Sequence, residues 1–322
     1  MPRIYVVAIG SAGLWAVYAV MTRHVVAGAG LDPWAYALVQ LLAGGVVILW
    51  FGRSAPGGWA SLFAPWMLGY GVLRVAVAGS TAAGMAYLLA AQSSLLGTTA
   101  VTIGAAMALL LFRAAPSVEE RRWLLVLVVA QTLLIGFLIA EGAGMGVVWC
   151  MTSELCAVAS ALAVERNPRN RADSPAARHR FTAETLIVTS VVLILAWSAA
   201  GAVGWTSSPW APRGRAFGDP ELWAWGIAAG LFFRGPGQWL SLYSVRHIGA
   251  QGYLISLLCL PLLTLAFELA CGAVGLTPKP SPTWIEWTVV ALIAAAATGM
   301  MRARLAAARA VSVRAGSAAA GG

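Results

Sequence analysis

Ten apolar runs, each long enough to cross a lipid bilayer, account for most of this 322-residue chain. A helix needs about 20 residues to span the hydrocarbon core. The runs are continuously apolar, without the alternation of lipid-facing and lumen-facing residues that a barrel strand shows. The pattern predicts an all-α integral membrane protein with ten transmembrane helices, at approximately 4–22, 34–51, 63–88, 95–112, 123–140, 146–164, 182–204, 221–243, 250–273 and 284–302.

The amino-acid composition agrees with this class. Hydrophobic residues make up 60% of the chain and charged residues 10%, whereas charged residues reach about a quarter of a soluble domain. The formal net charge of +9 raises the question of nucleic-acid binding. The basic residues, however, stand at the ends of the apolar runs and form no basic face with interleaved aromatic residues. We therefore expect the lipid bilayer as a partner and no nucleic acid.

The distribution of arginine indicates how the chain is oriented. If the N-terminus is cytoplasmic, ten spans place most of the 21 basic residues on the cytoplasmic side, as the positive-inside rule requires. The first apolar run is long for a signal peptide and no convincing cleavage site follows it, so we interpret it as an uncleaved anchor. The sequence thus predicts a multi-pass protein of the cell inner (plasma) membrane with both termini cytoplasmic.

One long hydrophilic run, Glu165 to Arg180, divides the chain into two halves. Six of the ten apolar runs precede it and four follow it, and the run at 146–164 matches the opening of a second repeat, which makes two sets of five. An odd number of runs in each set means that the second set is inserted upside down relative to the first. Inverted repeats of this kind are typical of secondary transporters, whose substrate site lies near the midplane. We predict a first five-helix repeat in 1–164, a cytoplasmic linker in 165–180, a second repeat in 181–302, and a frayed helix end or disordered cytoplasmic tail in 303–322.

Sequence motifs in both halves resemble a known family. The first half carries GSAGLWAVYAVMTRHV at residues 10–25, then Asp32-Pro33, the joint at Ala90, and Pro116 to Glu119 before Trp123. In the second half, residues 146–166 match the opening helix of the repeat, and residues 248–263, with Pro261, match its fourth helix. This arrangement resembles the EamA-type members of the drug/metabolite transporter superfamily over nearly the whole chain.

The resemblance carries expectations about fold and activity. It implies ten helices in two inverted five-helix repeats, with the third and eighth helices lining a central cavity. It also implies transport by alternating access, outward in direction and coupled to protons. We expect a small-molecule metabolite as the substrate, and a monomer or homodimer as the assembly.

Two arginines fall inside predicted membrane spans. Arg74 lies about ten residues into the third run and Arg234 about thirteen into the eighth, which places both near mid-depth at roughly 1.5 Å per residue. An ionisable group at this depth is a functional hypothesis by default. A pair of guanidinium groups, with Gln238 on the same run, would bind a carboxylate, phosphate or sulfonate through bidentate hydrogen bonds. The alternative is that Glu154, Glu268 or a helix carbonyl ties each arginine and only holds the helices together.

The eighth run contains a proline between two glycines. Gly235, Pro236 and Gly237 directly follow Arg234, and proline removes a backbone donor and blocks a helical hydrogen bond. The sequence predicts a broken or kinked helix here. Irregular backbone at this depth is tolerated where it lines a wet cavity, so the break would mark the site. The alternative is a simple packing kink.

Acidic and aromatic residues complete the set of candidates. Glu154 in the sixth run and Glu268 in the ninth could each carry a coupling proton or pair with an arginine, and the sequence leaves both roles open. The deeper aromatic residues could wall a cavity and stack on a ring or cation. Packing or lipid-facing roles are the alternative for all four of them, which are Trp15, Tyr18, Trp149 and Trp239.

The sequence as a whole predicts a transporter rather than an enzyme. The three histidines, His24, His179 and His247, are far apart in the sequence and have no acidic partner at useful spacing. The four cysteines lack the spacing of a metal site, so we expect no metal and no cofactor. We predict a secondary active transporter, an exporter, of a small anionic or zwitterionic metabolite. The alternative is a flippase of the same fold that moves a lipid or lipid-linked headgroup.

Overall fold

The computed structural model describes residues 2–55, 65–113, 115–166, 174–204, 211–213, 215–277 and 280–320. All regular secondary structure in these ranges is helical. Two π-helical turns, His24–Gly28 and Gly230–Arg234, continue α1 and α9. The α-helices are α1 Pro2–Arg23, α2 Pro33–Gly52, α3 Pro65–Gly84, α4 Ala90–Gly97, α5 Thr99–Phe112, α6 Val118–Ala140, α7 Gly144–Arg166, α8 Pro175–Ala202, α9 Pro220–Ala229, α10 Gly235–Ser256, α11 Leu260–Ala273 and α12 Trp284–Ala320.

Eight helical segments in the described ranges are long and apolar enough to cross a membrane. The predicted all-helical class is confirmed, and these segments are compatible with a multi-pass membrane protein. The predicted runs 63–88 and 221–243 are outside this set, and each carries an arginine near its middle. The eight segments are Ile4–Gly28, Pro33–Gly52, Ala90–Leu111, Val118–Ala140, Gly144–Ala163, Pro175–Ala202, Gln251–Ala273 and Trp284–Ala306.

Helix starts are fixed by side chains that accept from free backbone N–H groups. The Asp32 carboxylate accepts from the N–H groups of Trp34 (3.0 Å) and Ala35 (2.9 Å) at the start of α2. At α6, the Ser117 hydroxyl accepts from the N–H of Glu120 (3.2 Å), and the Glu120 carboxylate accepts from the N–H of Ser117 (3.0 Å). These caps satisfy donors that a helix leaves unpaired in its first turn, and so fix where each span begins.

The helices of the two halves are interrupted at matching positions. Leu89, with an extended backbone (ψ 153°), introduces α4, and Gly249 interrupts α10 with φ 72° and ψ 165°. A second interruption follows at Thr98 between α4 and α5, and at Leu258, within the 3₁₀ turn between α10 and α11. In both halves the second interruption comes nine residues after the first. The positive φ at Gly249 is accessible to glycine at little cost.

The helix break predicted at Gly235, Pro236 and Gly237 does not occur at these residues. Gly235 keeps helical angles (φ −59°, ψ −58°), and its N–H binds the carbonyl of Gly230 through the π-helical turn. Pro236 falls in the first turn of α10 directly after this turn. In a regular helix the proline ring clashes with the carbonyl four residues before it, and the wider π-helical turn relieves this clash. The helix is therefore widened ahead of the proline rather than broken.

The helices pack in pairs that bring distant parts of the chain together. α2 lies along α8, α3 lies along α7, and α6 lies along α12. α1 packs against α10 and α11, and α4 also contacts α11. Helices of the first and second halves of the chain therefore interleave.

Close contact between α2 and the π-helical turn depends on glycine. A Cβ atom at Gly230 would lie 2.5 Å from the Cβ of Ala43 and 2.7 Å from the carbonyl oxygen of Gln40. Such distances leave no room for any side chain. Glycine at this position brings α2 close enough for the Gln40 side chain to reach Arg234.

Helices enter both ends of the predicted linker and continue into the predicted tail. α7 extends to Arg166 and α8 begins at Pro175, so both helices enter the predicted 165–180 linker. Proline favours the first turn of a helix, which accounts for the early start of α8. Residues 167–173 lie outside the described residues. The predicted tail is helical as far as Ala320, because alanine and arginine both have high helix propensity.

Candidate functional site

A cavity of about 260 Å³ lies among α1, α3, α4, α5, α7, α10 and α11. Most of its wall is apolar, and three of its lining residues, Arg74, Arg234 and Glu154, are charged. An apolar pocket with a few polar groups that converge on it is typical of a small-molecule site. Six of the residues proposed from the sequence line it, and they are Trp15, Tyr18, Arg74, Glu154, Arg234 and Gln238.

Arg234 is held in place by its surroundings. The residue is 4% exposed, and its Nη1 donates to the hydroxyl of Tyr18 (2.9 Å) and to the amide oxygen of Gln40 (3.2 Å). The guanidinium carbon lies 5.6 Å from the ring centre of Tyr18 and 5.9 Å from that of Trp15, within the range of cation–π attraction. No carboxylate among the described residues pairs with it.

Arg74 has fewer partners than Arg234. Its side chain is half-buried, and its Nη2 donates to the amide oxygen of Gln238. Its Nε, like that of Arg234, is buried and has no hydrogen-bond partner within the part of the chain that the structure describes. Its ion-pair partners there include no carboxylate. Arg74 therefore presents a guanidinium group to the cavity with part of its hydrogen-bonding capacity unused.

The helix pair α3 and α7 is joined by two hydroxyl side chains. The hydroxyls of Thr81 and Ser153 are 2.7 Å apart, and they lie 2.7 and 3.2 Å from the carbonyl oxygen of Val77. We call this the α3–α7 hydroxyl node. It bonds the two helices at the cavity wall.

The helix pair α1 and α10 has a matching node. The hydroxyls of Ser11 and Ser241 are 3.1 Å apart, and they lie 3.3 and 2.7 Å from the carbonyl oxygen of Gly237. We call this the α1–α10 hydroxyl node. Each node follows an arginine by seven residues, because Thr81 follows Arg74 and Ser241 follows Arg234 at that distance. Neither node was predicted from the sequence, although a hydroxyl residue seven positions after each arginine is a pattern that could have indicated them.

Tyr253 is a further cavity residue that the sequence analysis missed. Its hydroxyl bonds to those of Ser241 and Ser11, the latter at 3.1 Å, and the indole Nε1 of Trp15 donates to Ser241 at 3.2 Å. Tyr253 comes four residues after the interruption at Gly249, which redirects α10 and brings the ring to the cavity. The predicted runs 221–243 and 250–273 leave a joint just before Tyr253, but the sequence does not indicate that the ring faces the cavity.

The two glutamates proposed for proton coupling have different surroundings. Glu154 lines the cavity, and no hydrogen-bond or ion-pair partner for it occurs among the described residues. Glu268 is 1% exposed and accepts from the N–H groups of Ala90 (3.1 Å) and Ala91 (3.0 Å), and its carboxylate lies 3.4 Å from Nη1 of Arg23. Glu268 thus caps α4 and pairs with Arg23, away from the cavity wall. Glu154 remains the candidate for proton coupling.

Trp149 and Trp239, proposed as cavity residues, are not among those that line it. Trp149 is buried and packs edge-on against Trp34, with ring centres 5.9 Å apart. Trp239 stacks on Phe51 at 5.2 Å. A membrane helix is apolar on all sides, so its sequence does not indicate which side faces a cavity. Gly235, Pro236 and Gly237 are likewise not among the lining residues, and Gly235 packs against Val47 while Gly237 lies against the indole of Trp15.

The charges of the cavity favour a negatively charged ligand. Two guanidinium groups and one carboxyl group face or flank a mostly apolar space. Charge interactions are strengthened where the wall excludes water. A guanidinium group binds a carboxylate or phosphate in a planar, bidentate geometry. The arrangement is suited to holding a small anion.

Comparison with known proteins gives information about the fold. No protein-family model matches the sequence, and no curated protein matches it. Among solved structures, 27 chains match. One of them, a crystal structure, is 17% identical in sequence and superimposes with a TM-score of 0.58 over 92% of this chain and 96% of its own. At this level of identity the chain shares a fold with that protein, and the likeness extends no further than the fold.

Proposed function

We propose that this protein is a secondary active transporter of a small anionic or zwitterionic metabolite. The observation that carries the proposal is the pair of arginines at one cavity inside the helix bundle, neither of them paired with a carboxylate in the described ranges. An intramembrane arginine without a counter-charge is costly. A bound anion would supply the missing charge and leave again once transported.

We further propose ten spans in two inverted five-helix repeats, which carry out alternating access. The proposal is supported by the two matched hydroxyl nodes, by the equal spacing of the arginines from them, and by the matched interruptions at Leu89 and Gly249. The two remaining spans would be α3, and α9 with the first part of α10. Transporters of this architecture bind substrate where the repeats meet, and a cavity lined by helices from early and late parts of the chain supports the proposal.

Glu154 is the proposed coupling group, and the direction of transport is proposed to be outward. A carboxyl group that lines the cavity without a protein partner can take up and release one proton per cycle. The positive-inside distribution of arginine supports cytoplasmic termini and a place in the cell inner membrane. Export follows the resemblance described above.

Exchange in proteoliposomes tests the proposal. Purified protein should exchange an internal pool of an organic acid for the same labelled acid outside, and Arg74→Ala should abolish this exchange. The matched control is Arg213→Ala, which removes an arginine whose side chain is 77% exposed and far from the described cavity lining. This control should exchange as fast as the unmodified protein.

Three outcomes would overturn the proposal. One is exchange no faster than in protein-free liposomes for every acid tested. Another is a thermal-shift screen in which cations alone raise the melting temperature, because ligands that bind the folded state stabilise it. The third is movement of labelled phospholipid without exchange of soluble acids, which would identify a flippase of the same fold.

A further inference from the structure

The α1–α10 pair shows how this protein satisfies a buried arginine. The two helices run antiparallel, because Ser11 contacts Ser241 while Trp15 lies against Gly237 and Tyr18 reaches Arg234. Moving away from the node, Trp15 comes four residues after Ser11 and Tyr18 comes seven after it. Seven residues are close to two helical turns, so these side chains share one face. An aromatic ring and a hydroxyl acceptor thus cover Arg234.

The α3–α7 pair repeats this backbone arrangement with smaller side chains. α3 and α7 are also antiparallel, since Thr81 contacts Ser153 and, further along, Gly84 lies against Cys150. The residues four and seven positions after Ser153 are Ala157 and Ser160. Relative to the hydroxyl nodes, Ala157 and Ser160 occupy the positions on α7 that Trp15 and Tyr18 occupy on α1.

The small side chains leave space beside Arg74. Ala157, Ser160 and Arg74 all line the cavity. The Ser160 hydroxyl donates to the carbonyl oxygen of Ala157 (2.8 Å), on its own helix, and no hydrogen bond joins it to Arg74 among the described residues. Where α1 gives Arg234 a tryptophan ring and a tyrosine hydroxyl, the equivalent positions of α7 give Arg74 an alanine and a serine, and its one hydrogen bond is to the amide of Gln238.

We infer that the substrate takes, beside Arg74, the place that Trp15 and Tyr18 take beside Arg234. Its acidic group accepts from the Arg74 guanidinium, and an aromatic ring fills the space over Ala157 and Ser160. The substrate class is therefore a small aromatic acid. This inference rests on the proposed transport function and specifies the ligand of the same cavity.

The shape and lining of the cavity favour an aromatic acid over other anions. A volume of about 260 Å³ is below the range of drug-sized pockets, which starts at roughly 300 Å³, and it is too small for a phospholipid. Val101, Ala161 and Leu254 also line the cavity, so inorganic phosphate would sit against apolar groups that cannot bind it. A flat ring buries against these side chains and can also lie over the guanidinium group.

Binding of phenylacetate to the purified protein, measured by isothermal titration calorimetry, tests the inference. Phenylacetate should bind at least about tenfold more tightly than acetate, inorganic phosphate or the neutral 2-phenylethanol, because each of these lacks the ring or the carboxylate. Arg74→Gln should weaken phenylacetate binding by about tenfold or more. The double variant Ala157→Trp with Ser160→Tyr, which gives α7 the side chains of α1, should abolish it.

A smaller variant and a matched control keep the test decisive. Ala157→Leu fills part of the space and should weaken phenylacetate binding even where the double variant does not fold, while Ala224→Leu, at an exposed alanine of α9, should not change it. Unchanged phenylacetate binding in Arg74→Gln or in the folded double variant overturns the inference. Equal binding of acetate and phenylacetate also overturns it and leaves the transport proposal intact. Failure of every acid to bind or exchange overturns the transport proposal itself.

Discussion

The two sides of the cavity carry the same kinds of charged residues in different surroundings. On the α1 side, Arg234 is bonded to Tyr18 and Gln40, and Glu268 is bonded to Arg23 and to the start of α4. On the α7 side, Arg74 has one amide partner and Glu154 has none in the described part of the chain. The charged groups on the first side bond to several other groups of the protein, whereas those on the second side have few or no protein partners and face the cavity.

The difference shows what distinguishes a structural charge from a ligand-binding one. A buried charge is costly unless hydrogen bonds and counter-charges replace its water. The α1 side meets part of that condition with protein groups, since Glu268 pairs with Arg23 and Arg234 donates to Tyr18 and Gln40, although no carboxylate among the described residues pairs with Arg234. The α7 side does not, and its charges remain near the cavity, where water or a ligand can reach them.

The largest effect is expected at Glu268. Glu268→Ala removes the carboxylate that binds two backbone N–H groups and Arg23, and leaves an unpaired arginine at a buried junction. We expect a loss of about 4 kcal/mol in the free energy of unfolding, seen as a lower melting temperature in detergent. Glu154→Ala is the matched control on the α7 side and should melt as the unmodified protein does. Equal melting temperatures for the two variants would contradict the comparison.

Arg234→Ala should have the next largest effect on stability. The substitution leaves Tyr18 and Gln40 without the charge that they bind and opens space between their side chains. Hydrogen bonds to a charged group contribute about 1.5–3 kcal/mol each, so we expect a loss of about 3 kcal/mol. Thermal unfolding followed by intrinsic tryptophan fluorescence measures it. A variant as stable as the unmodified protein would show that Arg234 is a ligand group like Arg74.

Tyr18→Phe separates the hydrogen bond at Arg234 from the aromatic ring. The hydroxyl at 2.9 Å is lost, while the ring at 5.6 Å stays. We expect a loss of about 1.5 kcal/mol and unchanged affinity for a transported acid. A loss of acid binding without any loss of stability would place the ligand on the α1 side.

Arg74→Ala should have the smallest effect on stability and the clearest effect on transport. It removes one amide contact and a half-buried side chain, so the free energy of unfolding should change by less than about 0.5 kcal/mol. Exchange of organic acids in proteoliposomes should be abolished in the same preparation. A large drop in melting temperature would mean that Arg74, like Arg234, holds the bundle together.

The sequence predicted features that depend on residue type and failed on those that depend on distant contacts. Arg74, Arg234 and Glu154 stand out because charged residues are rare in apolar spans, and all three line the cavity. Whether the carboxylate of a glutamate has hydrogen-bond and ion-pair partners depends on which residues lie beside it in the fold. The partners of Glu268 on α4 are 177 and 178 residues away in sequence, and no local pattern reports them.

Local rules also failed where two effects compete at one position. Proline predicts a broken or kinked helix near Pro236, yet Gly235 keeps helical angles after the π-helical turn, and the non-helical angles of α10 occur at Gly249, in the joint between the predicted runs 221–243 and 250–273. Trp15 and Trp149 are both deep tryptophans in apolar helices, but only the former lines the cavity. Their sequence environments are alike, and the difference arises from which neighbouring helix each one faces.

The cap that Glu268 places on α4 has a consequence for how the protein is made. During synthesis, the N–H groups of Ala90 and Ala91 enter the membrane long before residue 268 exists. The first half of the chain therefore cannot complete its own hydrogen bonding, and the start of α4 must wait for α11. Two halves expressed as separate polypeptides would have to meet in the membrane before either one reached its final form.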